Sequence, residues 1–415
     1  MFRSPPLRMF AALVIGLGAG MLMTVLHLPG QREVLAIAQP VGQLWLDALT
    51  MTVVPLVFGL LVTGIASAAS TASSSNVAVR ALIWFAILLT AACALSAVST
   101  SALLALWPVP DNVSLATSAI AAPNVAPASE WFRGIIPTNP IKAAAETAMV
   151  PLVIFAVLFG LASSRIEPEL GGIITSFFKA VVQAMLVIVG WVLWIAPIGI
   201  VALAYSAAAR MGVSAAGTLF QYIVVVVAAC LIATAMAYVA AATVGRMSLS
   251  RFARAAIPAQ TVALGTQSSL ASLPVMIDAT AALGIGKTSA GVVLPLAVSI
   301  FRAASAAANV AVAVYLGHLH GVPLSLPVLA IGALIAVPVS LAAVGLPAQV
   351  SFFATIGPVC IAMGVPIEAL PLLLAVETVP DLFRTLGNVT SDLAVARIAS
   401  DPADQLSSMA NTVAS

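Results

Sequence analysis

Charged side chains are scarce in this chain. Only 7% of its 415 residues are Asp, Glu, Lys or Arg, whereas 62% are hydrophobic, and the mean hydropathy is +1.16. Water-soluble globular domains usually contain about 25% charged residues. The composition therefore excludes a soluble globule and predicts an all-α membrane protein that crosses the bilayer several times.

Cysteine and net charge are low as well. The three cysteines, Cys93, Cys230 and Cys360, lie far apart inside apolar runs, which indicates packing and fits neither a disulfide framework nor a metal site. A formal net charge of +2 is too small to favour a nucleic acid as a partner. The Gly-x-Ser-x-Gly turn of serine hydrolases is also absent. The sequence thus indicates neither an enzyme nor a bound cofactor.

Apolar runs of membrane-spanning length follow one another through the first 250 residues. The first run follows Arg3 and Arg8, and we interpret it as a retained helix because it is too long for a signal peptide and no small-residue cleavage site follows it. The predicted spans cover about residues 9–28, 46–69, 81–107, 148–162, 181–207 and 219–244.

The apolar pattern changes after about residue 250. Two stretches are broken near their middles, at about residues 265–274 and 340–349, and each half is too short to cross about 30 Å of hydrocarbon. We predict two re-entrant helical hairpins, with ordinary loops between full spans as the alternative. A span at about residues 290–316 lies between them, interrupted by Arg302 and Ser305. Paired broken segments of this kind indicate the midplane site of a transporter.

The last apolar segment carries the densest group of charges. On a helix with roughly 100° per residue, its polar residues share a stripe about 80° wide. These residues are Glu377, Asp381, Arg384, Asn388 and Asp392. Ionisable groups at membrane depth cost about 2.5–3.5 kcal/mol each, so they usually face a protein interior or a watery solute path. A structural ion-pair ladder is the alternative, although one arginine satisfies only part of three carboxylates.

The basic residues predict the orientation in the membrane. If the N-terminus lies in the cytoplasm, most Lys and Arg residues fall in cytoplasmic loops, in agreement with the positive-inside rule. Only Arg302 and Arg384 then remain at membrane depth. We expect a multi-pass protein of the inner (plasma) membrane with both termini in the cytoplasm.

Several motifs resemble the dicarboxylate/amino acid:cation symporter family, which includes the glutamate transporters. Residues 381–392, Asp-Leu-Phe-Arg-Thr-Leu-Gly-Asn-Val-Thr-Ser-Asp, are similar to the family signature Asp-x-x-Arg-Thr-x-x-Asn-Val-x-Gly-Asp. Residues 268–274, Ser-Ser-Leu-Ala-Ser-Leu-Pro, are similar to the serine-rich tip of the first hairpin of the family. The resemblance extends over nearly the whole chain.

The resemblance implies eight transmembrane helices plus two re-entrant hairpins in a glutamate-transporter-like elevator fold. Residues 1–250 would contain the first six spans, mainly as scaffold and homotrimer interface, with the third span packing on the transport domain. Residues 251–400 would form the transport core, from hairpin 1 through the seventh helix and hairpin 2 to the eighth helix. Residues 401–415 would be a cytoplasmic tail.

The resemblance also implies the roles of individual side chains. Arg384 would bind a substrate carboxylate as a bidentate fork, and Asp381 would accept a hydrogen bond from the substrate amine. The substrate-binding residues would be Ser268, Ser269, Ser305, Gly345, Asp381, Arg384, Thr385 and Asn388, with Leu346 and Pro347 in a mobile gate. The cation-coupling residues would be Thr90, Ser299, Arg302, Glu377, Asn388 and Asp392, and the last two would be ligands if sodium binds.

The seventh helix departs from the family pattern. Where the family has Asn-Met-Asp-Gly-Thr, residues 301–305 are Phe-Arg-Ala-Ala-Ser, so an aspartate that binds sodium in the family is missing. Arg302 replaces the methionine, and Ala91 replaces a serine beside Thr90. Arg302 could therefore act as a tethered cation in place of sodium. Asn309 occupies the position of a proton-carrying glutamate of animal relatives, and we interpret it as a packing amide.

The sequence and the resemblance together predict a secondary active transporter that imports acidic amino acids with protons, through Glu377 or Asp381. A sodium-coupled C4-dicarboxylate symporter is the first alternative, and a passive anion channel is the second. A catalytic aspartate pair is disfavoured because Asp381 and Asp392 lie about 16 Å apart along a helix. The expected partners are a small anionic substrate, membrane lipid and further copies of the chain.

Overall fold

The computed structural model describes residues 5–26, 29–72, 76–109, 136–211, 214–342 and 348–400, which form seventeen helices and no strand. Helices of the first half are α1 (Pro5–Val25), α2 (Gln31–Thr50), α3 (Val53–Ala72), α4 (Asn76–Leu106), α5 (Pro140–Ala145), α6 (Met149–Ser163), α7 (Pro168–Trp194) and α8 (Ala196–Met211). Those of the second half are α9 (Ser214–Thr243), α10 (Leu249–Thr266), α11 (Ser269–Ala282), α12 (Lys287–Ile300), α13 (Ala303–Leu319), α14 (Leu326–Ala342), α15 (Ala348–Ala362), α16 (Leu370–Leu374) and α17 (Thr378–Ala399).

The helical architecture agrees with a polytopic membrane protein. By length and composition, six segments of the described residues could cross a membrane. They are Arg8–Val25, Gln31–Ala69, Asn76–Leu106, Pro168–Trp194, Ala216–Thr243 and Lys287–Leu319. The outer face of α7 exposes large apolar side chains such as Phe177 and Trp194, as expected for a surface that contacts lipid or another subunit.

Two predicted spans have different boundaries in the structure. The span expected at 46–69 begins at Val53, because the chain turns at Met51 and Thr52 after α2. The single span expected at 181–207 consists of α7 and α8, which are separated at Ile195. Pro197 explains this break, because a proline has no amide hydrogen and its ring disfavours continuation of the preceding helix.

Both broken stretches form pairs of short helices that pack against each other, α10 with α11 and α14 with α15. The four helices contain 18, 14, 17 and 15 residues. At about 1.5 Å per residue, each is shorter than the roughly 30 Å of hydrocarbon. The predicted gate residues Gly345, Leu346 and Pro347 lie outside the described residues, as does the predicted tail 401–415.

Helices α13 and α17 occupy the centre of the protein. Nearly every residue of α13 is buried, and α17 packs against α4, α9, α10, α12 and α13. Gly387 permits the closest approach, because a Cβ atom there would lie 2.5 Å from Cβ of Ala304 and 2.7 Å from Oγ1 of Thr234. The last helix is thus held directly against α9 and the start of α13. The predicted division into a scaffold and a transport core stays a prediction.

Candidate functional site

A polar cavity of about 320 Å³ lies among the two helix pairs, the α12–α13 break and α17. Most of the predicted site residues line it, namely Ser268, Ser269, Ser299, Arg302, Ser305, Glu377, Asp381, Arg384, Thr385 and Asn388. Ser340, around which a backbone-carbonyl cation site was expected, lines it as well, and so do Gln267, Asn309, Ser351 and Thr355, which were not expected as ligands. The residues predicted from two separate motifs therefore meet in one cavity.

The tip of the first helix pair faces this cavity. Gln267 has a left-handed backbone conformation with φ of 53°, which reverses the chain between α10 and α11. The Ser268 side chain caps α11 by accepting a hydrogen bond from the Ala271 amide at 3.2 Å. The first amides of a helix have no partner within the helix, so those of Ser269 and Leu270 at the cavity wall can address an anion.

Arg384 is held by three neighbours. Its Nε atom lies 2.6 Å from Oε1 of Glu377, and its Nη1 donates to Oδ1 of Asn309 at 2.8 Å and to the Ser305 carbonyl at 3.3 Å. The hydroxyl group of Tyr222 donates to the other carboxylate oxygen of Glu377, also at 2.6 Å. Within the described residues, neither Nε nor Nη2 of Arg384 has a hydrogen-bond partner, so its contact with Glu377 is an ion pair. The guanidinium group is thus oriented by protein contacts and retains unused donor capacity.

Asn388 supports the backbone at the helix break. Its Oδ1 accepts from the amides of Ala304 at 3.0 Å and Ser305 at 3.1 Å, and its Nδ2 donates to Oγ of Ser305 at 2.8 Å. These bonds satisfy amides at the start of α13 that no carbonyl of the same helix can reach. Both polar atoms of the side chain are therefore engaged, and direct contacts of Asn388 with substrate or sodium stay predictions.

Two oppositely charged side chains on the cavity wall have no direct partner. Among the described residues, none forms a hydrogen bond or an ion pair with the side chain of Arg302 or that of Asp381. Arg302 lies at the α12–α13 break, and Asp381 lies in the first turn of α17. The cavity therefore presents one unpaired cation and one unpaired anion beside the Arg384–Glu377 pair.

Asp392 lies deeper than the cavity wall. It is fully buried, and within the described part of the chain neither carboxylate oxygen has a hydrogen-bond partner. Arg302 attracts this carboxylate electrostatically but does not form an ion pair with it. A buried carboxylate without donors is costly, so a cation or a proton would stabilise it.

Thr90 lies away from the cavity. It is exposed on α4, and its hydroxyl group donates to the Ala86 carbonyl of the same helix at 2.8 Å. The α12–α13 break contacts α4 through Phe301 instead, which stacks on Phe85 with ring centroids 4.6 Å apart. The contact predicted to help bind a cation is thus apolar in the structure, and the role assigned to Thr90 has no support from its position.

Sequence reasoning missed two contributors to the site. Asn309 is more than a packing amide, because its Oδ1 accepts a hydrogen bond from Nη1 of Arg384. Tyr222 was not considered, although the chain has only four tyrosines and a tyrosine in an apolar span usually needs a partner for its hydroxyl group. The scarcity of tyrosine was the available signal, but it does not identify the partner.

Comparisons with known proteins agree along nearly the whole chain. A proton/sodium-glutamate symport protein of Bacillus caldotenax is 25% identical over 406 residues, which cover 95% of this chain and 93% of the relative. A proton/glutamate-aspartate symporter of Escherichia coli K12 is 27% identical over 379 residues, covering 88% and 85%. A C4-dicarboxylate transport protein 1 of Pseudomonas paraeruginosa is 25% identical over 417 residues, covering 94% and 89%.

The model of the sodium:dicarboxylate symporter family matches residues 6–401. This match confirms the resemblance found in the sequence. It also confirms a transporter, and not an enzyme, as the class of protein, and with the six apolar segments it establishes a multi-pass membrane protein. The chain therefore belongs to the sodium:dicarboxylate symporter family.

Proposed function

We propose that this protein imports acidic amino acids, aspartate or glutamate, by symport with protons. The observation that carries the proposal is the unpaired Asp381 carboxylate on the wall that also presents Arg384. An acidic amino acid has an ammonium group and two carboxylates, whereas a C4-dicarboxylate has no ammonium group for Asp381 to bind. Two relatives are named as a glutamate symport protein and a glutamate-aspartate symporter, which supports the same substrate class.

Recognition follows from the donors and acceptors in the cavity. Arg384 binds the side-chain carboxylate through its remaining N–H donors, and Asp381 accepts from the ammonium group. The amides of Ser269 and Leu270 at the start of α11 address the second carboxylate, with the hydroxyl groups of Ser305 and Thr385 as further contacts.

The Arg384–Glu377 pair suggests how a proton is coupled to the substrate. A substrate carboxylate at Arg384 would place two anions beside one buried guanidinium group, which is unfavourable in a site of low dielectric constant. A proton on Glu377 removes the second negative charge, so proton and substrate favour each other's binding. Asp381 is the second carboxylate that we propose as a proton carrier. It would be protonated in the part of the transport cycle in which no substrate is bound.

Arg302 supports coupling that does not depend on sodium. Its guanidinium group supplies a fixed positive charge at the break, while Ala303 provides no carboxylate and Phe301 packs against Phe85. We propose that Arg302 is a tethered cation that balances Asp392 in place of a mobile ion.

A sodium-coupled C4-dicarboxylate symporter is the second candidate. The unpartnered oxygens of Asp392 favour a cation there, and several relatives are named as C4-dicarboxylate transport proteins. A passive anion channel would explain Arg302 and Arg384 but would give no role to Asp381.

We further propose eight membrane-spanning helices with two re-entrant hairpins, and both termini on the cytoplasmic side of the inner (plasma) membrane. Residues 251–400 would move as a transport core, in an elevator movement, against a homotrimeric scaffold built mainly from residues 1–250. The short helix pairs α10–α11 and α14–α15 and the excess of basic residues in the predicted cytoplasmic loops support this arrangement.

Uptake of labelled aspartate and succinate into proteoliposomes tests the function. We expect accumulation of aspartate above its external concentration when a pH gradient, acidic outside, is imposed without sodium. In the control, a protonophore collapses the same gradient, and accumulation should stop. Accumulation driven by an inward sodium gradient alone at equal pH would contradict proton coupling, and equilibration without accumulation under every gradient would indicate a channel.

A further inference from the structure

Tyr222 contributes to the substrate site from a helix that carries none of the sequence motifs. It lies on α9, its side chain is fully buried, and its hydroxyl group donates to Oε2 of Glu377 at 2.6 Å across 155 positions of sequence. The other oxygen of Glu377 lies 2.6 Å from Nε of Arg384. Each carboxylate oxygen of Glu377 therefore has its own partner, one on α9 and one on α17.

The Tyr222 ring is fixed by its surroundings. It packs edge-to-face on Tyr315 with ring centroids 5.6 Å apart, and the Tyr315 hydroxyl group donates to the Thr218 carbonyl at 2.7 Å. Both rings are fully buried. A close-packed ring with few rotatable bonds holds its hydroxyl group in one place, whereas a glutamate with three side-chain torsions needs partners to hold one conformation.

We propose that Tyr222 is a positioning residue of the substrate site, which holds the Glu377 carboxylate so that Glu377 in turn orients Arg384. The proposal rests on the function proposed above, in which Arg384 binds a substrate carboxylate. A side chain that binds substrate keeps its geometry when its own rotamer is locked by supporting hydrogen bonds. When the substrate draws Arg384 away from Glu377, the Tyr222 hydroxyl group remains as a partner of Glu377, whether that group is a carboxylate or a carboxylic acid.

Tyr222→Phe tests the role, with Tyr315→Phe as the matched control. Each variant removes one hydroxyl group from a buried ring of the same aromatic pair, but only Tyr222 contacts Glu377. Hydrogen bonds to charged groups are among the strong ones, so we expect Tyr222→Phe to raise KM for aspartate by about tenfold or more. The maximal rate should change less, and Tyr315→Phe should leave KM within about twofold of the parent.

The pH profile of aspartate KM gives a readout that a structural role alone would not change. The charged and titratable groups that act on Glu377 are Tyr222 and Cys230 from α9 and Asp381 and Arg384 from α17. Loss of the Tyr222 hydroxyl group removes one hydrogen-bond donor from Glu377. The profile of aspartate KM should therefore shift along the pH axis for Tyr222→Phe and should not shift for Tyr315→Phe. Equal KM values and equal profiles for the two variants would overturn the proposal.

A double-mutant cycle on thermal stability of the purified protein, without substrate, tests the contact itself. Tyr222→Phe should lower the thermal stability less in a Glu377→Gln background than in the parent protein. In that background the charge-assisted part of the hydrogen bond between Tyr222 and residue 377 is already gone. Strict additivity would show that Tyr222 does not hold Glu377, whatever the protein transports. Absence of acidic-substrate uptake by the parent protein would instead refute the proposed function.

Discussion

At the scale of single residues, Asp381 and Arg384 lie one turn apart on α17 in different surroundings. Arg384 is 6% exposed and is paired with Glu377, whereas Asp381 has no hydrogen bond or ion pair to its side chain among the described residues. An unpaired carboxylate beside a largely buried cavity is unfavourable unless a cationic group binds it. This difference is the reason we propose that Asp381 binds the substrate amine and Arg384 binds a substrate carboxylate.

Asp381→Asn should therefore separate amino acids from dicarboxylates. We expect KM for aspartate to rise at least about tenfold because the ammonium group loses its charged acceptor, while KM for succinate changes little. Arg384→Ala should abolish uptake of both, since both present a carboxylate. Asp278→Asn, an exposed carboxylate on α11, is the control. Unaltered and equal affinities for aspartate and succinate in Asp381→Asn would contradict the assignment.

At the scale of elements, the α12–α13 break brings polar groups to the cavity wall. Two residues, Phe301 and Arg302, interrupt the helix, and the first amides of α13 then need an acceptor from elsewhere. Asn388 provides it from α17 through its Oδ1 atom. The break and the last helix are thus joined by Asn388, and Arg302, Ser305 and Asp381 line the same cavity.

Asn388→Ala should lower the stability of this unit. The buried Ala304 amide and the partly buried amide and hydroxyl group of Ser305 lose their partner. A buried group left unsatisfied costs about 1–3 kcal/mol. Thermal unfolding of the purified protein measures the loss. Ser391→Ala on the same helix is the control, because its hydroxyl group only donates back to the Gly387 carbonyl at 2.8 Å. A melting temperature of Asn388→Ala equal to that of Ser391→Ala would show that the break does not depend on Asn388.

At the scale of the whole molecule, exposed apolar helices surround a buried centre. Long apolar helices such as α7 expose most of their surface, whereas α13 is almost entirely buried and α17 is buried from Gly387 to Ala399. A substrate cavity inside such a centre can open to the two sides of a membrane only if part of the protein moves. Movement of residues 251–400 as one body is the form of alternating access that we propose.

Cysteine accessibility checks this movement. Ser269→Cys at the tip of α11 should react with membrane-impermeant thiol reagents from each side of the membrane in turn, depending on substrate and gradient. Ser164→Cys, partly exposed after α6, is the control and should react from one side in every condition. The native cysteines Cys93, Cys230 and Cys360 are buried, so their background labelling should be low. Labelling of Ser269→Cys from one side only, in every condition, would contradict an elevator movement.

The amino-acid sequence by itself determined the class of the protein and many of the residues that line its cavity. A charged fraction of 7% requires a membrane environment, and the stripe from Glu377 to Asp392 follows from helical periodicity alone. The stripe depends only on the spacing of polar residues along one helix. In the structure Glu377, Asp381, Arg384 and Asn388 line one cavity, in agreement with that spacing.

Only the tertiary structure decided which groups pair within that cavity. The partner of Glu377 on α9 lies 155 residues away, and Thr90 faces outward although a motif-based comparison placed it at a cation site. The break at Ile195 likewise divided a hydrophobic run that composition alone joined. Pairings of this kind depend on how helices pack in three dimensions, since hydrogen bonds form over about 3 Å and hydrophobic periodicity does not determine which helices become neighbours.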